Sequence, residues 1–163
     1  MKYVDETVID RIVDGFSQSE VVIEGNLRAL EQEQPELLDY LFSDEATVFT
    51  QPERDLLLYL VLVICAASQE VNGPLPLIDQ EQLSAAEEHN WELLEGISSH
   101  RFRERLDVFF DNTSQEDLLA FVEDSLLDDE ESEVTKEGRE PLFVLAKSLI
   151  DALDEAIGEQ QEG

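Results

Sequence analysis

Leu56 to Ala67 reads LLLYLVLVICAA, twelve apolar residues in a row, in a 163-residue chain whose formal net charge is -30. Thr50-Gln51-Pro52-Glu53 precedes the run. Thr50 is placed to cap a helix, Glu53 to reach back to the Thr50 N–H, and Pro52 falls in the first turn, where no donor is missed. Asn72-Gly73-Pro74 follows as a stop signal. The spacing predicts a helix over about 51–71, roughly 30 Å long at 1.5 Å per residue. A helix apolar on every side must be covered on every side. Twelve apolar residues fall short of the roughly 20 that span a bilayer. The expectation is therefore a helix buried at the centre of a soluble protein, with Leu56 to Ala67 almost wholly covered.

Working outward, amphipathic patterns surround this helix. Val8, Ile9, Ile12, Val13 and Phe16 make one face of a helix over residues 4–16, ending near Gly15. Ser17-Gln18-Ser19-Glu20 opens a second helix to about Glu33, and Pro35 starts a short third. Residues 43–49 read as a connector. Leu75, Leu77 and Ile78 in the loop NGPLPLID are expected to pack back on the core. Asp79 to Gln82 caps a helix reaching about Ile97, and Ser98-Ser99 caps the next. Thr113-Ser114 with Asp117 starts another. DDEESE, 128–133, reads as a solvated acidic loop. A final helix is expected from about Glu140 to Ile157. No strand pattern stands out and no repeat appears. The fold expected is all-α, a single domain over 1–163 with seven or eight helices packed around the central one.

The charge is spread along the chain. Residues 1–50 carry 12 acids and 3 bases, 51–100 carry 9 and 1, and 101–163 carry 19 and 6, so no part is an acidic tail. Nucleic acid and anionic membrane are disfavoured as partners, because both would be repelled. Apolar content of 42% exceeds that of a disordered acidic chain. A chain this size should fold to about 8,200 Å2 of surface. Cys65 is the single cysteine and lies inside the apolar run, so it reads as an inert core thiol. The N-terminus lacks an apolar signal region, which gives a cytoplasmic protein as the default expectation.

Sites of chemistry are sparse. Neither His89 nor His100 has Glu three residues before it, so the Glu-x-x-His pair of a di-metal bundle is not met. His-Glu-x-x-His, a phosphate-binding Gly-rich loop and a Gly-x-Ser-x-Gly elbow are missing from the sequence. No catalytic or metal-binding residue and no cofactor is assigned. Two local features remain. His89, Asn90 and Trp91 lie at the edge of an apolar stripe and could form a polar groove; the plainer reading is a hydrogen-bonded histidine beside a core tryptophan. Arg101, Arg103 and Arg105 are three of ten basic residues within five positions. With Ser99 as cap, Arg101 and Arg105 share one face of a helix start, a place that favours anions or an acidic partner. The plainer reading pairs them with acids of the same chain.

These observations point to an interaction or regulatory module without catalytic activity, with a protein partner and an oligomeric state the sequence leaves open. The alternative is an acidic inhibitor, a DNA mimic or toxin-neutralising protein that occupies a basic site. High acid with little lysine also fits adaptation to high salt, in which case the charge says nothing of partners.

Overall fold

Two long helices form the axis of the structure, a computed structural model that describes residues 1–43, 49–127 and 133–162. The first is α4, Gln51–Asn72. Its capping box forms as the sequence predicts. Thr50 Oγ1 accepts from the Glu53 N–H at 3.3 Å, and Glu53 Oε1 accepts from the Thr50 N–H at 2.9 Å. Gly73 ends it at φ 82°, in the left-handed region that favours glycine. The second axis is α8, Lys136–Glu162. Around these lie α1 (Glu6–Gln18), α2 (Glu20–Glu33), α3 (Pro35–Leu41), α5 (Gln80–Glu95), α6 (Phe102–Phe110) and α7 (Glu116–Leu127). Among the described residues there are eight helices and no strand, in one compact arrangement.

Helix α4 packs on α1, α2 and α8, while α8 also packs on α5 and α7. Contacts α1–α2, α2–α3, α3–α5, α5–α8, α8–α7 and α7–α1 close a ring. The apolar run is covered less evenly than expected. Leu57, Leu60 to Cys65 and Ala67 are buried, but Leu56, Leu58, Tyr59 and Ala66 are only half-buried; Leu58 borders an open cleft with α2 and α3, and Ala66 one with α1 and α2. The whole helix of 22 residues, not the twelve-residue run, sets its length, and it is long and apolar enough to cross a membrane. Half of its most apolar stretch is nevertheless buried within the fold. Burial pushes the Cys65 thiol up to about 12, so it stays protonated and unreactive at neutral pH.

Several boundaries move for identifiable reasons. Helix α1 runs through Gly15, and Ser19 rather than Ser17 caps α2, its Oγ accepting from the Val22 N–H at 3.4 Å. Ser17 instead donates to Asp14 O within α1. Helix α6 starts at Phe102 without a side-chain cap, since Ser99 Oγ accepts from the Arg101 N–H in the turn before it. Leu77 is 59% exposed, while Ile78 is buried. The largest shifts are at α8, which begins four residues earlier and ends five residues later than expected and carries Pro141 in its interior. Thr135 starts it, Thr135 Oγ1 accepting from the Gly138 N–H at 2.9 Å. The acidic stretch expected at 128–133 and the connector at 43–49 fall on residues 128–132 and 44–48, which lie outside the described residues.

A buried carboxylate pins the two axes together. Glu53 is 1% exposed. Besides its capping role, Glu53 Oε2 accepts from the Thr135 N–H at 3.0 Å and the Thr135 hydroxyl at 2.9 Å. Burial pushes its pKa up, but the hydrogen bonds from Thr50 and Thr135 together outweigh this and hold the carboxyl below its ordinary value. A Cβ on Gly138 would collide with this carboxylate, so any larger residue there would push Glu53 off its bonds to Thr135.

Candidate functional site

The functional reading centres on α5, whose two flanks carry different chemistry. Consecutive residues on a helix point about 100° apart, at 3.6 residues per turn. Hence His89, Asn90 and Trp91 do not share one groove: Trp91 lies on the flank toward α3, His89 and Asn90 on the flank toward α8.

On the α8 flank the polar groups satisfy one another. Lys147 is 1% exposed. Its Nζ donates to both Asp151 oxygens, at 2.8 and 2.7 Å, and lies 3.4 Å from Asn90 Oδ1. Asn90 Nδ2 donates to Ser148 Oγ at 3.1 Å and Asp151 Oδ2 at 3.0 Å. Ser148 Oγ donates to Val144 O at 2.6 Å. The ammonium also sits 5.7 Å from the centre of the Phe109 ring. Next to this network a cleft of about 380 Å3 is lined by His89, Asn112, Asp154 and Glu155 among others. Asp154 is already engaged by the Met1 ammonium at 3.4 Å and by Ser114 at 2.9 Å. The lysine is thus spent on structure: its charge is matched and its donors are aimed at acceptors of the same fold.

On the α3 flank the acids are not matched. A cleft of about 420 Å3 is lined by Tyr40, Ser84, Glu87, Glu88, Trp91, Glu92 and Glu95. Glu87 holds both aromatic side chains: the Tyr40 hydroxyl donates to Oε1 at 2.7 Å, and Trp91 Nε1 donates to Oε2 at 3.0 Å. None of the four glutamates enters an ion pair among the described residues. The arrangement offers aromatic surface and concentrated negative charge in one concave place. It can attract and desolvate a cation.

The three arginines go to separate partners. Arg105 donates through Nε and Nη2 to the two oxygens of Glu140, at 2.8 and 3.0 Å, and through Nη1 to the carbonyls of Ser99 and Ile97. The hydrogen bonds to Glu140 raise its pKa further. This ties α6 to α8. Arg101 is the residue before α6, not within it, and is 84% exposed with a 3.5 Å contact to Glu104. It therefore shares no helix face with Arg105. Arg103 is exposed, and its charge acts on Glu123 of α7. Sequence reasoning missed Arg139, whose guanidinium lies 4.8 Å over the Phe102 ring. It also missed Tyr40, Glu87 and the Lys147–Asp151 pair; only the i, i+4 spacing of the last was visible.

No known protein family, curated protein or solved structure matches the chain.

Proposed function

We propose that the chain is a cytoplasmic interaction module without catalytic activity, an adaptor or regulator that holds a cationic segment of a protein partner. The observation that carries this reading is the α3 flank of α5, where Glu87 holds Tyr40 and Trp91, and Glu88, Glu92 and Glu95 enter no ion pair among the described residues. Aromatic residues are enriched at interfaces, and a desolvated cation–aromatic contact is worth about 2 kcal/mol or more. The surface as a whole adds steering. The chain has 40 acidic and 10 basic residues, so most of its acids have no basic counterpart within it. Such a field speeds encounter with a basic partner at low salt. The same cleft and surface charge also support the alternative, an acidic inhibitor (a DNA mimic or toxin-neutralising protein) whose acids occupy the basic working site of its partner.

The test is a binding titration of a labelled oligolysine peptide by fluorescence anisotropy. Glu88→Gln, Glu92→Gln and Glu95→Gln together remove three charges at the cleft. Asp107→Asn, Asp111→Asn and Asp124→Asn remove three exposed charges from α6, its C-terminal end and α7. Site-specific capture predicts a loss of about tenfold or more for the first set and little for the second. Equal losses would reduce the effect to overall charge and refute the site.

A further inference from the structure

The thinly seated helix α2 leaves an apolar groove on one of its sides. Of its 14 residues Leu30 alone is buried, and Val21 and Val22 are 76% and 41% exposed. Between α1, α2 and α4 runs a groove of about 570 Å3 lined by Ile12, Val22, Gly25, Ala29 and Ala66, with Glu33, Gln69 and Glu70 among its polar positions. The small residues matter. A Cβ on Gly25 would meet nothing within 4 Å, so the groove is open to the backbone there. Val22 and Glu33 are eleven positions apart, about 16 Å along a helix, enough to take residues i, i+4 and i+7 of a second helix.

Charge decides among occupants. Helix α2 carries Glu20, Glu24, Glu31 and Glu33 against Arg28, and α1 carries Glu6, Asp10 and Asp14 against Arg11. Arg11 is committed to Glu70 at 2.6 Å, whereas Glu33 enters no ion pair among the described residues. Two of the three helices that wall the groove, α1 and α2, are therefore net negative. A second copy of this chain would bring another 30 net negative charges against it. The fitting occupant is apolar on one face and cationic on its flanks.

We propose that the groove between α1, α2 and α4 docks an amphipathic helix of the partner, with apolar residues seated over Gly25, Ala29 and Ala66 and lysine or arginine facing the acids of α1 and α2. This rests on the proposal of a cationic partner and adds how that partner's backbone is held. Helix-in-groove recognition brings apolar area, which salt does not screen, beside the charge term, which salt does.

Two labelled peptides of about 18 residues and identical leucine, lysine and alanine composition form the probe. One places leucine at i, i+3, i+4 and i+7; the other is scrambled. Anisotropy at about 0.15 M NaCl should show the amphipathic peptide binding at least about tenfold tighter. Ala29→Trp, which fills the groove, should abolish that difference and leave the scrambled peptide's affinity unchanged. Gly25→Leu at the same opening serves as the second variant should Ala29→Trp lower the melting temperature. An amphipathic affinity unmoved by a folded groove variant would overturn the proposal. Light scattering that showed a dimer dispersed by Ala29→Trp would assign the groove to a second copy and overturn it equally. Loss of both peptides on the cleft substitutions, with no response to the groove variants, would sink the groove and leave the cationic partner standing. No binding of either peptide to wild type at about 0.05 M NaCl would sink both.

Discussion

The two flanks of α5 hold similar residue types and use them in opposite ways. Toward α8, Asp151 and Asn90 surround a buried lysine, and the charges cancel inside the fold. Toward α3, Glu87 positions two aromatic rings while Glu88, Glu92 and Glu95 line the cleft and enter no ion pair among the described residues. In a chain with acids everywhere, pairing separates the structural acids from the available ones. An acid that completes a buried network is structural. An acid left unmatched beside aromatic surface is available to something outside the molecule.

The comparison breaks first if Asp151 is dispensable. Asp151→Ala leaves the Lys147 ammonium buried with Asn90 as its remaining polar partner, and should cost about 3–5 kcal/mol in chemical unfolding. A loss under about 1 kcal/mol would mean that water or rearrangement compensates the lysine, and that the flank is not a closed network.

Glycines sharpen the same point at the Glu53 pin. Gly→Ala at an unstrained helical position stabilises by about 0.4–1 kcal/mol. Gly25→Ala should behave so, since its added methyl meets open space. Gly138→Ala should reverse the sign and destabilise by about 1–3 kcal/mol, because Glu53 must leave its bonds to Thr135. Equal effects in thermal melts would show that the α8 start yields freely.

Acid should release that pin. The Glu53 carboxyl is held below its ordinary value of 4.5. A depressed folded pKa contributes stability that is fully present above the unfolded value and is lost as pH falls through the folded one. Unfolding free energy of the wild type should therefore drop more steeply than that of Glu53→Gln below about pH 4.5, approaching it at the acid end. Parallel curves would remove Glu53 from the account.

The smallest effects belong to the open flank. Glu88→Gln and Glu92→Gln should each change stability by no more than about 0.5 kcal/mol, and upward if neighbouring acids repel. The folded surface is 9139 Å2, larger than its size predicts; divided among 30 net charges it leaves one per about 305 Å2, a spacing near 17 Å. That is about two Debye lengths at physiological salt. Melting temperature should therefore rise between about 0.01 M and 0.15 M NaCl as repulsion is screened, and a flat profile would show that the acids are compensated locally.

Local chemistry makes most of the helices readable in the sequence. The capping boxes at Thr50 and Asp79 and the proline at the start of α3 are contiguous signals, and each formed. Helix α8 was misplaced because Pro141 reads as a first-turn proline, whereas Thr135 supplies the cap six positions earlier. Tertiary polar contacts left no such trace. Glu53 meets Thr135 across 82 positions, and Asn90 meets Ser148 across 58. Trp91 was legible as a notable residue, but its partner Tyr40 comes from α3, and nothing in spacing along one helix reports a ring on another. The arginine cluster was legible as a cluster only. Its members diverge because Arg101 precedes the helix that Arg105 lies in.

Trp91 is the single tryptophan of the chain and lines the cleft itself, so its own emission reports on the central claim without a label. The decisive measurement is a titration of the wild-type protein with oligolysine at about 0.05 M NaCl, following Trp91 fluorescence. The account predicts a saturable change in emission that weakens as salt is raised and is lost when Glu88, Glu92 and Glu95 are all replaced by glutamine. Binding seen by anisotropy with Trp91 emission unmoved would place the cation elsewhere on the acidic surface and contradict the claim.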